Sequence, residues 1–120
     1  MRRKYRLLRG IISLLMLRYL LEGEECGYGL RRRISELIGE PLPPGYIYVM
    51  LRSLRNRGLI EAREGRRNGR RIVYYRITEE GRNFLLGHRG AVEVGRRAIE
   101  ELASFMDALG GASRAGERRA

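Results

Sequence analysis

The feature that most constrains this chain is a tight-turn dipeptide, Asn68-Gly69, placed late in a sequence whose apolar residues otherwise recur mostly at helical spacing. Asparagine and glycine both tolerate the left-handed backbone that a two-residue hairpin turn demands. On either side stand runs of β-branched and aromatic character, 59–63 and 71–77. The pattern predicts two antiparallel strands, with 64–70 as the segment joining them. Arg66, Arg67, Arg70 and Arg71 crowd the tip of that hairpin. A two-stranded hairpin is not stable alone in water, so the helical remainder of the chain must cover it.

That remainder reads as three helices before the hairpin and one long segment after it. A basic arm (Arg2, Arg3, Lys4, Arg6) leads into Leu7, Leu8, Ile11, Ile12, Leu14, Leu15 and Leu17. A helix apolar around so much of its circumference has to be covered on more than one side. In a chain of 120 residues the second cover comes from another subunit or from the C-terminal helix. Residues 22–27 read as a loop. A second helix over 28–38 carries Leu30, Ile34, Leu37 and Ile38 on one stripe, and is stopped by Gly39 and the cluster Pro41, Pro43 and Pro44. Pro44 suits the first turn of a third helix. There Ile47, Met50, Leu51 and Leu54 form the apolar stripe, leaving Tyr46, Tyr48, Val49, Arg52, Ser53 and Asn56 on the other sides. Gly58 ends it.

After the hairpin, Thr78 is placed to cap the last helix, with Glu79 and Glu80 in its positive first turn. Leu85, Val92, Ile99 and Met106 recur every seven residues, and His88, Gly95, Leu102 and Leu109 fill the interleaved positions. This is a coiled-coil trace, weaker in its first half, with a kink or break expected between Gly87 and Gly90. Residues 110–120 lack apolar periodicity and read as a disordered tail. The order helix, helix, helix, strand, turn, strand, long helix describes a mainly α fold with a small β-hairpin, a winged helix-turn-helix followed by a C-terminal dimerisation helix. The expected divisions are 1–82, 83–109 and 110–120.

Charge says where the partner binds. Lys and Arg number 25 against 14 Asp and Glu, a net charge of +11, and Lys4 is the one lysine. Residues 1–82 hold 19 basic and 9 acidic side chains, whereas 83–120 hold 6 and 5. A basic excess of this size points to nucleic acid or an anionic membrane, and the arginine fork suits phosphate oxygens and base edges. The apolar run 7–21 is about 15 residues long and contains Arg9 and Arg18, too short and too charged for a span. A single cysteine, Cys26, excludes an internal disulfide, and the expected setting is cytoplasmic. With one His and one Cys there is no Ser-His-acid set, metal-spaced cluster or phosphate loop. Neither an enzyme, a metal site nor a cofactor is expected.

Particular residues resemble a known family. Cys26-Gly27-Tyr28-Gly29-Leu30 resembles the Gly-Tyr-x-Leu opening the second helix of PadR-type transcriptional regulators. The segment Gly45-Tyr46-Ile47-Tyr48-Val49-Met50-Leu51-Arg52-Ser53-Leu54 resembles their Gly-Thr-Leu-Tyr-Pro-x-Leu-x-x-Leu recognition helix. Gly58-Leu59-Ile60 is similar to the lead into the wing, and Tyr75-Arg76-Ile77-Thr78-Glu79-Glu80-Gly81 to its Tyr-x-Leu-Thr-x-x-Gly ending. The likeness covers roughly residues 7–86. Tyr46 stands where the family has a small hydroxyl residue and Val49 where it has proline, so the family's base preferences do not transfer. The resemblance implies a homodimeric DNA-binding regulator, usually a repressor, of the branch with a single C-terminal helix. Some members sense small hydrophobic or phenolic compounds; this chain has no tryptophan, which certain drug-sensing members use, and no ligand is assigned.

The candidate DNA-binding residues are therefore Tyr28, Arg31, Tyr46, Tyr48, Val49, Arg52, Ser53, Asn56, Arg66, Arg67, Arg70 and Arg71. Tyrosine hydroxyls and arginine bind phosphate, while arginine or asparagine reads guanine or adenine edges; which of them reads a base stays open, and Tyr48 is alternatively half-buried beside Tyr28. The candidate dimer interface is Leu8, Ile12, Leu15, Leu85, Val92, Ile99, Leu102 and Met106. Leu8, Ile12, Leu15, Ile99 and Leu102 are expected to line a space between the first and last helices that would suit a small apolar effector. The expected partners are double-stranded DNA and a second copy of the chain, with no membrane. The rival reading is a non-specific architectural DNA- or RNA-binding protein using the same basic surface.

Overall fold

The computed structural model describes residues 3–119, with backbone only at 4 and at 112–119. In chain order the elements are α1 (Arg3–Leu20), β1 (Glu25–Cys26), α2 (Gly27–Ile38), α3 (Tyr46–Asn56), β2 (Ile60–Arg67), β3 (Arg70–Ile77), α4 (Glu79–Gly87) and α5 (Arg89–Arg119). The chain divides into two compact units, Met1–Leu86 and Gly87–Ala120. The first is a winged helix.

Its core is built from part of the stripes the sequence displays, with Leu37 of α2 and Ile11 of α1 left exposed. Ile12, Met16, Leu17 and Leu20 of α1 meet Leu30 and Ile34 of α2, Leu42 of the connection, and Ile47, Met50, Leu51 and Leu54 of α3, closed by Leu59 and Ile60. The encirclement of α1 by apolar residues has its explanation here. Ile12 is fully buried in the chain's own core, while Leu8, Leu15 and Tyr19 pack partly against it. Leu7 is left 81% exposed. The residues of the supposed basic arm from Arg3 onward are helical, not an extended lead.

The three-stranded sheet has the order β1-β3-β2. Residues 22–27, expected as a loop, contain β1, whose Glu25 and Cys26 pair with Tyr75 and Tyr74 of β3. Two residues are too few to show a period. The hairpin strands are also longer than the apolar runs suggested: β2 and β3 stay paired out to Arg67↔Arg70, leaving Asn68-Gly69 alone as the turn. Both turn residues have left-handed backbone, φ 54° and 76°, as a two-residue hairpin requires. The backbone ladder continues where the side chains have become charged, so composition understated the strands.

Gly58, at φ 73°, ends α3, and Leu59 N–H donates to Leu54 O at 3.0 Å to close the turn. Pro44 precedes α3 in a turn instead of sitting inside its first helical turn. Thr78 caps α4 as expected, its Oγ1 accepting from Gly81 N–H at 3.0 Å. The last helical segment is interrupted at His88, between the two glycines expected to break it. Helix α5 continues through Gly110 and Gly111, where a tail was expected, because helical backbone bonding there does not require an apolar stripe. The helical backbone runs on to Arg119 against the expected tail, and residue 120 lies outside the described residues.

Candidate nucleic-acid interface

Helix α3 has two faces. Tyr46, Ile47, Met50, Leu51 and Leu54 are buried, while Gly45, Tyr48, Val49, Arg52 and Asn56 are exposed and Ser53 is half-exposed. The exposed set follows i, i+3, i+4, i+7 spacing and forms one stripe. Tyr48 is 51% and Val49 52% exposed.

Tyr46 does not belong to this stripe. It is only 8% exposed, its ring lies 5.6 Å from that of Tyr5, and its hydroxyl donates to Tyr5 O at 3.3 Å. Burial pushes its hydroxyl pKa up. One helical turn before Met50, Tyr46 extends the core stripe toward the N-terminus, which removes it from the outward-facing candidates.

Tyr48 is held in place from one side. A Cβ on Gly27, at the start of α2, would lie 2.8 Å from Tyr48 Cε1 and 3.3 Å from Leu51 Cδ1. A side chain there would force the ring to shift. Tyr28, the next residue, is largely exposed. Beyond Tyr48, a cleft of about 410 Å³ is lined by Tyr48, Leu51, Arg52, Arg55, Asn56 and Tyr75. Burial, then the neighbouring Tyr48, raises the Tyr75 hydroxyl pKa, against the opposing pull of Arg55. Arg55 and Tyr75 were missed as candidates. Arg55 lies three residues after Arg52 and seven after Tyr48, a spacing that carries the signal; Tyr75 becomes relevant only once β3 is placed beside α3.

The wing tip is cationic in an unusual way. The register sets Arg66 opposite Arg71 and Arg67 opposite Arg70, two like-charged pairs in succession. Like charges directly across a sheet are destabilising. Arg71 is relieved by Glu64, its Nη2 lying 2.8 Å from Glu64 Oε1. Further down the stem Arg76 pairs with Glu61, and Arg63 with Glu24. Among the described residues no carboxylate lies within ion-pair range of Arg66, Arg67, Arg70, Arg52 or Arg55. The stem is neutralised and the tip is not.

The arginines of α2 are occupied elsewhere. Arg31 donates twice to Leu42 O, from Nε at 2.9 Å and Nη2 at 2.6 Å. Arg32 approaches Glu36, and Arg33 pairs with Glu22 at 2.6 Å while stacking over Tyr19. Arg31 was expected to face a partner; its fork is instead spent on the connection between α2 and α3, whose carbonyl has no helical partner of its own.

Of the interface candidates, Ile12 has no surface left to offer, and Leu8, Leu15 and Leu85 are half-buried against the core of the first unit. Val92, Ile99, Leu102 and Met106 of α5 are all more than half exposed, as are Phe105 and Leu109. Arg96 pairs with Glu93 and Glu100, and Arg97 with Glu93, on the same helix. Among the described residues no group of three or more His, Cys, Asp or Glu side chains is placed to hold a metal, and no helix is long and apolar enough to cross a membrane.

A third helix turned outward beside a basic hairpin is the defining arrangement of a winged helix-turn-helix protein. The sequence narrows this class to one family. Residues 16–86 match the model of the PadR-like family of transcriptional regulators, and the chain belongs to that family. Among solved structures it is similar to a protein of Thermoplasma acidophilum described as a transcriptional regulator, with 33% identity over 82% of this chain and 94% of that one and a TM-score of 0.75. A transcriptional regulator from Clostridium thermocellum is 26% identical over 80% of this chain and 96% of its own, with a TM-score of 0.71. The fold recurs in Bacillus subtilis PadR, solved in complex with operator DNA, at 24% identity, 64% and 44% coverage and a TM-score of 0.59. Among curated proteins no sequence matches.

Proposed function

We propose that this regulator is a homodimeric, sequence-specific double-stranded DNA-binding repressor. One observation carries the reading: the same unit presents an outward polar stripe on α3 and a wing tip whose Arg66, Arg67 and Arg70 lack carboxylate partners. Tyr48, Arg52 and Asn56 offer hydroxyl, guanidinium and amide groups to a major groove. Arg66, Arg67 and Arg70 offer positive charge to the flanking phosphates. The exposed seven-residue repeat of Val92, Ile99 and Met106, interleaved with Leu102 and Leu109, supports pairing of α5 with a second copy. The Bacillus subtilis relative, solved on operator DNA, supports the choice of duplex DNA. Two recognition helices then occupy half-sites about one helical turn, roughly 34 Å, apart.

Selection of binding sites from randomised duplexes tests the reading. Enrichment of pseudo-palindromic sites with that spacing is expected. If the dimer neutralises about eight phosphates, log K falls with log[salt] at a slope near −7. Equal displacement by random DNA or by RNA favours the architectural alternative instead. Placing a reporter promoter over the enriched site tests repression directly: expression falls when the protein is present.

A further inference from the structure

The exposed stripe of α3 contains an apolar residue where a nucleic-acid surface gains nothing from one unless it meets an apolar group. Val49 is 52% exposed, set between Gly45 before it and Arg52 after it. It shares the core-facing role of none of its neighbours, since Met50 and Leu51 already fill the buried side. Its partner in the stripe, Tyr48, leans on Gly27 at the edge of α2. Val49 and Arg52, three residues and one turn apart, follow Tyr48 along the same exposed stripe. Within a major groove the apolar group on offer is the 5-methyl of thymine.

We propose that Val49 is a specificity-determining residue that packs against a thymine methyl in each half-site. The inference rests on the DNA-binding reading above and deepens it. Beside Val49, Arg52 has a free fork for a guanine edge, so the two side chains discriminate different base pairs by different means: contact area at one, paired hydrogen bonds at the other. Valine is short and stiff at its first torsion, so the position of its methyls is set by the helix and does not adapt to a cytosine, which lacks the methyl and presents an amino group.

The experiment uses the full chain and the duplexes enriched from a randomised pool. Each thymine of an enriched duplex is replaced in turn by deoxyuridine, which removes only the methyl. Affinity is expected to fall roughly four-fold for the methyl that Val49 covers, and at the symmetry-related position alike. In Val49→Ala the same replacement is expected to cost nothing, while binding to the unmodified duplex weakens to the level of the deoxyuridine duplex. If no thymine responds in the parent protein, or if the response survives in Val49→Ala, the assignment is overturned although the regulator still selects a site. If no duplex is enriched at all, the underlying sequence-specific reading fails with it. Val49 lies outside the core, so the alanine variant tests recognition and not folding.

Discussion

Arginine is nearly the sole cation of this protein, yet its copies do different work according to what lies within reach. Arg31 illustrates the structural use. Leu42 is fully buried, and its carbonyl takes both hydrogen bonds from the Arg31 fork. In Arg31→Ala that acceptor loses its partner, and the cost of an unsatisfied buried group is about 1–3 kcal/mol. Urea unfolding of the variant should show a loss in that range; an unchanged midpoint would mean that water replaces the guanidinium. Glu24 illustrates the neutralising use. A hydrogen bond from Arg63 holds its carboxyl pKa below the ordinary range, against a smaller opposing effect of burial. A carboxylate with a depressed folded pKa stabilises the fold fully above its unfolded value and loses that contribution as pH falls through the folded one. Stability should therefore drop below about pH 4.5, and Glu24→Gln should flatten that drop, measured as urea midpoints at neutral and acidic pH. Because the pair is exposed, the effect is small and fades with added salt.

At the scale of elements, the wing invites a test in which stability and affinity respond separately. Removing Arg67 or Arg70 relieves a like-charged cross-strand pair, so the thermal midpoint of Arg67→Ala or Arg70→Ala should not fall. Affinity for duplex DNA should fall, and the dependence of log K on log[salt] should become shallower by about 0.9 for each phosphate that the variant no longer neutralises. An unaltered slope would place the wing tip away from the backbone. How far these elements could be read in advance follows from how each is stabilised. The stripes of α2 and α3 were legible because Leu30, Ile34, Ile47, Met50, Leu51 and Leu54 repeat at helical intervals and all are buried. The stem of the wing was legible through Asn68-Gly69, but its outer half was not: the residues there are arginines, and the pairing that extends it belongs to backbone atoms common to every residue. Strand β1 was invisible for the same reason. Tyr46 was misjudged because tyrosine suits either face of a helix, and the deciding neighbour, Tyr5, lies 41 positions away. Arg31 turns away from the expected partner because the buried Leu42 carbonyl needs a donor, a demand that leaves no trace in composition.

For the whole molecule, the two compact units carry different obligations. The first has its own core, to which the heptad residues Ile99 and Leu102 of the second unit do not belong. Substituting Ile99→Asp together with Leu102→Asp should therefore leave the far-ultraviolet signature of the winged helix and its melting cooperativity intact. Sedimentation should show a monomer, and binding to a two-half-site duplex should weaken by about a hundred-fold or more because the second half-site is no longer engaged intramolecularly. A variant that is monomeric yet binds as tightly as the parent would refute recognition by a pair of subunits. The family assignment shows a transcriptional regulator; this measurement asks whether its selectivity comes from one wing or from two.

The confronted arginines at the end of the hairpin also bear on timing. A ladder that holds cations against one another is under electrostatic tension when alone, and a passing polyanion releases that tension as it arrives. If the proposed wing contact forms, amide protons around Asn68 should exchange more slowly in the presence of DNA, and sulfate at modest concentration should reproduce part of the slowing.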